Sequence, residues 1–190
     1  YSATQIPHIL KVMIAATTGL PESKIRVIAP AVGGGFGGKL NVDADAILSV
    51  TLANHLGRPV RWTETRSEAA GSSHQGRGQI QHIEAAADAG GKVNAVRVHL
   101  DADMGAYMML ITPGVPLLGS FLYTGVYDIA NLSFTCDGWF TNMTPTDAYR
   151  GAGRPEASYA IERVMDMVAA EVGITPEEVR ARNYINNGDF

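Results

Sequence analysis

The apolar residues at the start of the chain recur with helical spacing. They follow the i, i+3, i+4, i+7, i+8 pattern of a helix that buries one face: Ile6, Ile9, Leu10, Met13 and Ile14. Thr4 is a candidate N-cap, and Gly19 is expected to end the helix. A second helix is predicted from residue 43 to residue 56, behind a cap at Asn41, with apolar residues around most of its circumference. A helix of that kind is expected to be deeply buried.

Shorter apolar runs that are rich in β-branched residues predict strands. Ile25–Ala29 lies between two prolines, and Val60–Thr63 follows the second helix. Residues 80–89 and 93–103 flank a Gly-Gly pair, and the second of these runs alternates between apolar and polar residues. This pattern predicts an antiparallel hairpin.

The second half of the chain predicts a long loop, another strand and two helices. Glycines and prolines interrupt the apolar segment from residue 104 to residue 125, so we expect a long buried loop there. Apolar and polar residues alternate over Leu132–Cys136, which predicts a strand. A helix is expected from Pro155 to Gly173, and a capping box at Thr175 begins the last helix. The order of elements predicts an α+β domain with a mixed or antiparallel sheet, and not a regular βαβ ladder.

Composition narrows the class of protein. Of 190 residues, 46% are hydrophobic and 18% are charged, which excludes a disordered chain and a coiled coil and fits a single domain. The net charge of -4 argues against binding along a nucleic acid. The first residues lack the features of a secretory signal, and no apolar run is long enough to span a membrane. A cytoplasmic protein without a membrane or nucleic-acid partner is therefore expected.

Side chains that often carry chemistry are scattered along the sequence. Cys136 is the single cysteine, and we expect it to be a buried, unreactive thiol. The five histidines show no spacing typical of metal ligands, so we expect them to be structural or exposed. Asp101 and Asp103 alternate on the polar face of one predicted strand, where solvent contact is the default. Arg77 is too far from other arginines to predict a nucleic-acid surface.

Glycine is in excess, with 21 residues, and it clusters in two places. The first cluster, Gly33–Lys39, follows a predicted strand and matches the G-x-G-x-x-G pattern, with Glu64 at the end of the next strand. It also matches the start of a P-loop, but Leu40 stands where a hydroxyl would hold magnesium. Both patterns use backbone N–H groups as an anion-binding nest. A non-catalytic dinucleotide- or phosphate-binding module built on Gly33–Gly38 is therefore one alternative.

The second cluster, Arg150–Arg154, places small residues and two guanidinium groups directly before a helix. Arginine binds phosphate and oxo groups in a forked geometry. Two such loops in one domain predict a large, anionic, oxygen-rich cofactor held between them. That hypothesis requires the two loops to lie on the same side of the domain.

Three motifs, in the same order along the chain, resemble the large subunit of the molybdenum hydroxylases, the family of xanthine dehydrogenase, aldehyde oxidoreductases and carbon monoxide dehydrogenase-like proteins. They are Ala3–Pro7, Gly33–Lys39 and Thr144–Glu156. The string at residues 148–154 is similar to form II of the carbon monoxide dehydrogenase group. The resemblance implies an oxidoreductase that hydroxylates a small molecule with oxygen derived from water. It also implies a molybdenum–molybdopterin cofactor, and an oligomer in which an iron–sulfur small subunit and an FAD-binding medium subunit are the partners.

Carried over by motif, the resemblance implies roles for individual residues. Gln5 would hydrogen-bond an oxygen ligand of molybdenum, and Phe36 would lie beside the metal, neither of them as a direct ligand. Gln5 and Arg150 are the two residues with an implied catalytic role. The residues expected to bind the cofactor are Gly35, Phe36, Gly37, Gly38, Ala148, Tyr149, Arg150 and Gly151.

The chain departs from the family pattern at three points. Gly151 stands where carbon monoxide dehydrogenases carry a copper-binding cysteine, so we do not expect CO oxidation. Leu40 and Ala152 replace a glutamate and an aromatic residue of purine-oxidising relatives, which favours an aldehyde or a small heterocycle as substrate. The family's general-base glutamate lies in a glycine-rich motif that is absent here. We therefore expect residues 1–190 to be a partial molybdopterin-binding domain of a longer subunit, inactive when isolated.

Overall fold

The described part of the chain, residues 1–186 of a computed structural model, contains six α-helices and three strands. In chain order they are α1 (Pro7–Thr18), α2 (Ala44–Leu56), α3 (Arg66–Ser72), β1 (Gln79–Ala87), β2 (Val93–Gly105), α4 (Gly114–Gly119), β3 (Asn131–Phe140), α5 (Arg154–Val172) and α6 (Pro176–Asn183). Short 3-10 turns lie at Glu22–Lys24 and Ser120–Leu122.

The three strands form one mixed sheet in the order β1-β2-β3. β1 and β2 are antiparallel, with Gln79 opposite Ala102, which confirms the predicted hairpin. β3 runs parallel to β2, with Ala95 opposite Asn131. A parallel pair needs a crossover connection, and the segment that contains α4 provides it. The predicted α+β domain is confirmed, and its sheet is mixed.

The core lies between one face of the sheet and α5. Val96, Val98 and Leu100 alternate along β2 with more exposed residues and are each exposed by 2% or less. Ile161 and Met165 of α5 are buried at the same level. Alternation in the strand and helical spacing in α5 therefore place two apolar faces against each other, as the sequence predicts.

The last two helices begin where the sequence predicts, and α5 also ends at the predicted glycine. Pro155 lies in the first turn of α5, and Gly173, with φ +74°, ends it in the left-handed conformation. The capping box of α6 is formed, because the Thr175 hydroxyl accepts from the Glu178 N–H while the Glu178 carboxylate accepts from the Thr175 N–H. α3, which has the same type of cap at Thr65, was not predicted.

The N-terminal third differs from the prediction. Neither Ile25–Ala29 nor Val60–Thr63 forms a strand, because no neighbouring strand pairs with them within residues 1–186. The predicted caps are also wrong. α1 has Ile6 at its N-cap, with Thr4 Oγ1 accepting from the Ile6 N–H. α2 has Asp43 at its N-cap, without a side-chain hydrogen bond to the helix.

Helix α2 is not deeply buried, contrary to the prediction. None of its residues is fully buried, and Leu48, Leu52 and Leu56 are exposed by 56%, 47% and 49%. An apolar circumference predicts burial only where other elements cover it, and within residues 1–186 α2 packs mainly against α1. One side of this helix therefore presents an apolar stripe.

Two further predictions are partly met. The segment from residue 104 to residue 125 is not all loop, since it contains α4 and a 3-10 turn. Cys136 is half-buried, and burial raises the pKa of its thiol, with Asp137 and Asp101 acting in the same direction. Such a thiol is a poor nucleophile. In the described part of the chain no helix has the length and apolar character needed to cross a membrane.

Candidate functional site

Gln5 connects the N-terminal segment to the first glycine loop. Its Oε1 accepts hydrogen bonds from the backbone N–H of Gly37 (3.0 Å) and of Lys39 (3.2 Å). Its backbone N–H donates to the Lys39 carbonyl at 2.9 Å. The side-chain amide is thus fixed with its oxygen engaged, and Nε2 is left without a protein acceptor within residues 1–186. This nitrogen is a donor available to a ligand.

The first loop depends on glycine at two positions where the backbone approaches other groups. A Cβ on Gly35 would lie 2.2 Å from Gln5 Oε1, and one on Gly37 would lie 2.0 Å from the Ala148 carbonyl oxygen. Gly37 also has φ +96°, which favours glycine. Gly38 donates to the Gly35 carbonyl at 2.9 Å and closes the turn. The loop is therefore a tight turn packed directly against its neighbours.

The second glycine loop lies directly against the first. The Arg150 N–H donates to the Phe36 carbonyl at 2.9 Å, and the Arg150 Cζ lies 5.2 Å from the centre of the Phe36 ring. Gly37 abuts Ala148, as the short Cβ distance shows. Gln5, the first loop and the second loop therefore form one continuous site, although they are far apart in the sequence. The requirement that the two loops lie on the same side of the domain is met.

Residues behind the second loop hold its backbone in place. His74 Nε2 lies 2.8 Å from the Ala148 carbonyl oxygen. Asp147 is fully buried, and its two carboxylate oxygens accept from the N–H groups of Ala148 and Ile111. Their roles were not predicted, because neither residue has a sequence signature of its own.

Arg77 is the main functional candidate that sequence reasoning missed. Its Nη1 donates to both carboxylate oxygens of Glu156 at 3.1 Å, and its Nη2 donates to the Arg150 carbonyl at 3.0 Å. Its Cζ lies 4.9 Å from the centre of the Tyr149 ring. Arg77 therefore connects the second loop to the first turn of α5. The available signal is its position between Gly76 and Gly78, since flanking glycines permit an unusual backbone path.

Backbone strain is concentrated at this site. Among residues 1–186, the non-glycine residues with positive φ are Phe36 (+53°), Arg77 (+75°) and Ala152 (+42°). Two lie in the glycine loops and the third braces the second loop. A non-glycine residue in this region costs about 1–3 kcal/mol, and such residues tend to occur at functional sites.

The polar groups of the site favour an anionic ligand rich in oxygen. The backbone N–H groups of Phe36 and Gly151 have no acceptor within residues 1–186. The Arg150 side chain is exposed and has no carboxylate partner in the same range. Together with Gln5 Nε2, these groups offer several donors and one cation at the junction of the loops. The nearby Glu156 is engaged with Arg77 and is not a free base.

A second, acidic group lies on the α2 side of the first loop. Asp43 is the N-cap of α2. Burial raises the pKa of its carboxyl group, and the negative charges of Asp45 and Glu64 raise it further, while His74 acts in the opposite direction. His74 connects this group to the second loop through Ala148.

The chain matches a family and several known proteins over nearly its whole length. The family model of the molybdopterin cofactor-binding domain matches residues 1–184. The carbon monoxide dehydrogenase large chain of Hydrogenophaga pseudoflava is 35% identical over 193 residues, covering 100% of this chain and 24% of that protein. The nicotine 6-hydroxylase large subunit of Paenarthrobacter nicotinovorans is 35% identical over 186 residues, covering 96% of this chain and 23% of that protein.

The fold is shared with a solved enzyme structure. Quinoline 2-oxidoreductase from Pseudomonas putida 86 superposes with a TM-score of 0.91 and 35% identity, covering 99% of this chain and 24% of that one. The chain thus spans 23–24% of the length of these three relatives. Sequence, fold and family model agree, and the chain belongs to the molybdopterin cofactor-binding domain family of the molybdenum hydroxylases.

Proposed function

We propose that this chain forms one wall of the molybdenum-cofactor pocket in the large subunit of a molybdenum hydroxylase. The observation that carries the proposal is the contact of Gln5 with the first loop at Gly37, and of the first loop with the second at Ala148 and Arg150. All the residues assigned to the cofactor by the family resemblance lie in these three segments. The partial coverage of the relatives supports residues 1–190 as one part of a longer subunit.

The residues present fit such a group. A bound molybdenum–molybdopterin cofactor would supply the two-electron redox chemistry with which this class of enzyme hydroxylates carbon. Gln5 Nε2 and the free N–H groups of Phe36 and Gly151 would donate to oxygen atoms of the cofactor. Fixed donors stabilise developing negative charge without reorganising, and the double hydrogen bond at Gln5 Oε1 supplies that rigidity.

Arg150 adds positive charge at the same junction. Its side chain is exposed beside Phe36, while its backbone is held from both directions by Phe36 and Arg77. Because its backbone is fixed and its guanidinium is exposed, Arg150 can donate hydrogen bonds to an anionic group or to a substrate oxygen. Because Glu156 is paired with Arg77, we propose that the proton-accepting carboxylate comes from another part of the full-length protein. The isolated chain is then inactive.

We propose an aldehyde or a small heterocycle as the substrate, and not carbon monoxide. Gly151 has φ +98°, and a Cβ there would lie 2.6 Å from Pro155 Cγ, so the backbone at this position does not suit the cysteine of carbon monoxide dehydrogenases. The relatives named nicotine 6-hydroxylase and quinoline 2-oxidoreductase support a heterocycle. A carbon monoxide dehydrogenase is equally similar in overall sequence, so the proposal depends on residue 151 and not on identity.

Partner subunits are part of the proposal. Relatives are named as a large chain, a large subunit and a complex subunit, which describes multi-subunit proteins. We propose an oligomer with an iron–sulfur small subunit and an FAD-binding medium subunit, which would carry the electrons away. The cytoplasmic location stays a prediction.

The alternative of a non-catalytic dinucleotide- or phosphate-binding module is not favoured. A dinucleotide fold of this type needs the first loop to open a regular βαβ unit. Here the run before the loop forms no strand, and the loop packs against Gln5 and Ala148 instead.

The proposal is tested on the full-length protein, produced with its partner subunits in molybdate-containing medium. We expect one molybdenum and one pterin per large subunit. We also expect the enzyme to oxidise at least one compound from a panel of aldehydes and N-heterocycles, but not carbon monoxide. Metal content is measured by mass spectrometry and pterin by fluorescence after oxidation. Absence of both from a folded protein overturns the proposed function. Rapid CO oxidation by a loaded protein overturns the substrate class alone.

A further inference from the structure

A cluster of histidines and aspartates lies on the outer face of the sheet, apart from the contacts that join Gln5 to the glycine loops. Strand pairing creates it: His82 lies opposite His99 in the antiparallel pair, and Asp101 lies opposite Asp137 in the parallel pair. His99 and Asp101 are two residues apart in β2 and so share a face. The alternate residue Leu100 points into the core.

The potential ligand atoms of His99, Asp101 and Asp137 converge, all within 4.8 Å of one another. His99 Nε2 lies 3.6 Å from Asp101 Oδ2 and 3.8 Å from Asp137 Oδ2, and His82 Nε2 lies 3.9 Å from Asp101 Oδ2. In a tetrahedral zinc site with bonds of about 2.0–2.1 Å, neighbouring ligand atoms are about 3.3–3.4 Å apart. The distances from His99 Nε2 to the two carboxylates exceed that spacing by a few tenths of an ångström.

Hydrogen bonds outside the cluster fix which nitrogen of His99 faces the carboxylates. His99 Nδ1 lies 3.0 Å from the Thr135 hydroxyl, which itself lies 3.4 Å from the Val98 carbonyl oxygen. With Nδ1 engaged by this contact, Nε2 faces two carboxylates. This is the arrangement by which a neighbouring group orients a histidine that binds a metal.

A similar contact orients Asp101. The Trp139 Nε1–H donates to its Oδ1 at 2.7 Å, which leaves Oδ2 free toward His99 and Asp137. Like charges directly opposite each other on paired strands destabilise a sheet. Within residues 1–186 no lysine or arginine forms an ion pair with Asp101 or Asp137, and Arg97 is paired with Glu84. His99 Nε2 and the Oδ2 atoms of Asp101 and Asp137 thus face one another without a lysine or arginine partner in this part of the chain.

We propose that His99, Asp101 and Asp137 bind a divalent zinc ion between β2 and β3, with water as the fourth ligand. An imidazole nitrogen with carboxylate oxygens suits a first-row transition ion and not Mg²⁺ or Ca²⁺, which prefer oxygen alone. The ion neutralises the aspartate pair and joins β2 and β3 on their outer face, beside His82 of β1. This site goes beyond the proposed function, since it involves neither glycine loop.

The test is zinc titration of the full-length protein by isothermal calorimetry with ZnCl₂ alone, after removal of loosely bound metal. Zinc is counted separately from molybdenum and iron by mass spectrometry, so failure of cofactor loading does not affect the result. We expect one zinc ion per chain, with affinity at least about tenfold weaker in Asp137→Asn and in His99→Gln. Thr135→Val keeps all three ligands and removes the contact that orients His99, together with the long contact to the Val98 carbonyl, and a weakening of about tenfold is expected for it as well.

The matched control is His55→Gln, which alters an exposed histidine on α2. It should leave zinc affinity unchanged. Asp137 is largely exposed, so its variant is expected to fold, and thermal unfolding checks this. Absence of zinc binding, or equal loss of affinity in the His55 and Asp137 variants, overturns the proposal.

Discussion

Gly37 is one of the residues at which the two glycine loops touch, and it gives the sharpest test at the residue scale. In Gly37→Ala, the new Cβ would meet the Ala148 carbonyl and force the loops apart. We expect molybdenum content of the full-length protein to fall at least about tenfold, because groups that support a metal site typically contribute about 10–100-fold to its affinity. Mass spectrometry of the purified protein measures this.

Gly19→Ala is the control for that variant. Gly19 also has a positive φ, +73°, but nothing lies within 4 Å of its Cβ position. Both variants carry a left-handed backbone cost of about 1–2 kcal/mol. Equal loss of molybdenum in the two variants would mean that general strain, and not contact between the loops, causes the loss.

Asp43 predicts a dependence of stability on pH. Its pKa is raised in the folded state by burial and by Asp45 and Glu64, so the ionised carboxylate opposes folding at neutral pH. The penalty is complete above the folded-state pKa and vanishes below the unfolded value of about 3.9. We expect Asp43→Asn to raise the free energy of unfolding at pH 7, and the gain to shrink as pH falls toward 4. Urea unfolding at several pH values measures it. A gain that is constant with pH would contradict this account.

At the scale of elements, one buried side chain joins α6 to the hairpin between β1 and β2. Asn183 is fully buried, and its Oδ1 accepts from the Val93 N–H at 2.8 Å. Its Nδ2 donates to the carbonyls of Gly91 (2.7 Å) and Val179 (2.8 Å). All its hydrogen-bonding groups are therefore satisfied inside the protein.

We expect Asn183→Ala to lower the free energy of unfolding by about 2–4 kcal/mol, because it leaves buried backbone groups without partners. Chemical denaturation measures the change. The exposed Asn54→Ala on α2 should change it by less than about 1 kcal/mol. A change of less than about 1 kcal/mol in Asn183→Ala would mean that water forms the hydrogen bonds that the side-chain amide makes in the wild-type protein.

Arg77 shows how one residue can connect elements that the sequence presents separately. It lies just before β1, pairs with Glu156 in the first turn of α5, and contacts the second glycine loop between them. The carboxylate side chain is 9% exposed and the guanidinium side chain 38% exposed, so this pair is better shielded than the surface pair Arg97–Glu84. The β1–α5 packing and the shape of the candidate site are therefore coupled through this ion pair.

At the scale of the whole molecule, exposed apolar surface is the main feature. Leu48, Leu52 and Leu56 are exposed on α2, and Val12 and Met13 are exposed on α1, which packs against it. Exposed apolar surface of this kind marks a contact with other protein. The chain spans 23–24% of its relatives, so further parts of a longer subunit are the natural occupants in the proposed enzyme.

We expect the isolated chain to self-associate through this surface. Replacing Leu48, Leu52 and Leu56 together by Gln should lower the apparent mass in light scattering toward that of one 20.2 kDa chain, with little change in thermal unfolding. Control changes at Asn54 and His55, which are exposed on the same helix, should leave association unaffected. A wild-type chain that is monomeric at high concentration would contradict the expectation.

Much of the fold and part of the candidate site follow from the sequence alone. The helices α1, α5 and α6, the β1–β2 hairpin and the identity of the two glycine loops are readable because each depends on neighbours a few residues away. The three ordered motifs carried the family resemblance, and the family model over residues 1–184 confirms it. Local patterns could not show that Ile25–Ala29 and Val60–Thr63 lack a pairing partner, or that α2 is uncovered.

Only the tertiary structure decided which distant residues meet. The parallel pairing of β3 with β2 brings Asp137 to His99 and Asp101, which sequence spacing did not suggest. The chain path also places Arg77 against the Arg150 carbonyl and Gly37 against Ala148. The physical reason is that strand register and loop packing are set by the sum of many weak contacts across the domain. A motif consists of residues close together in the sequence, so it does not show which distant residues they contact.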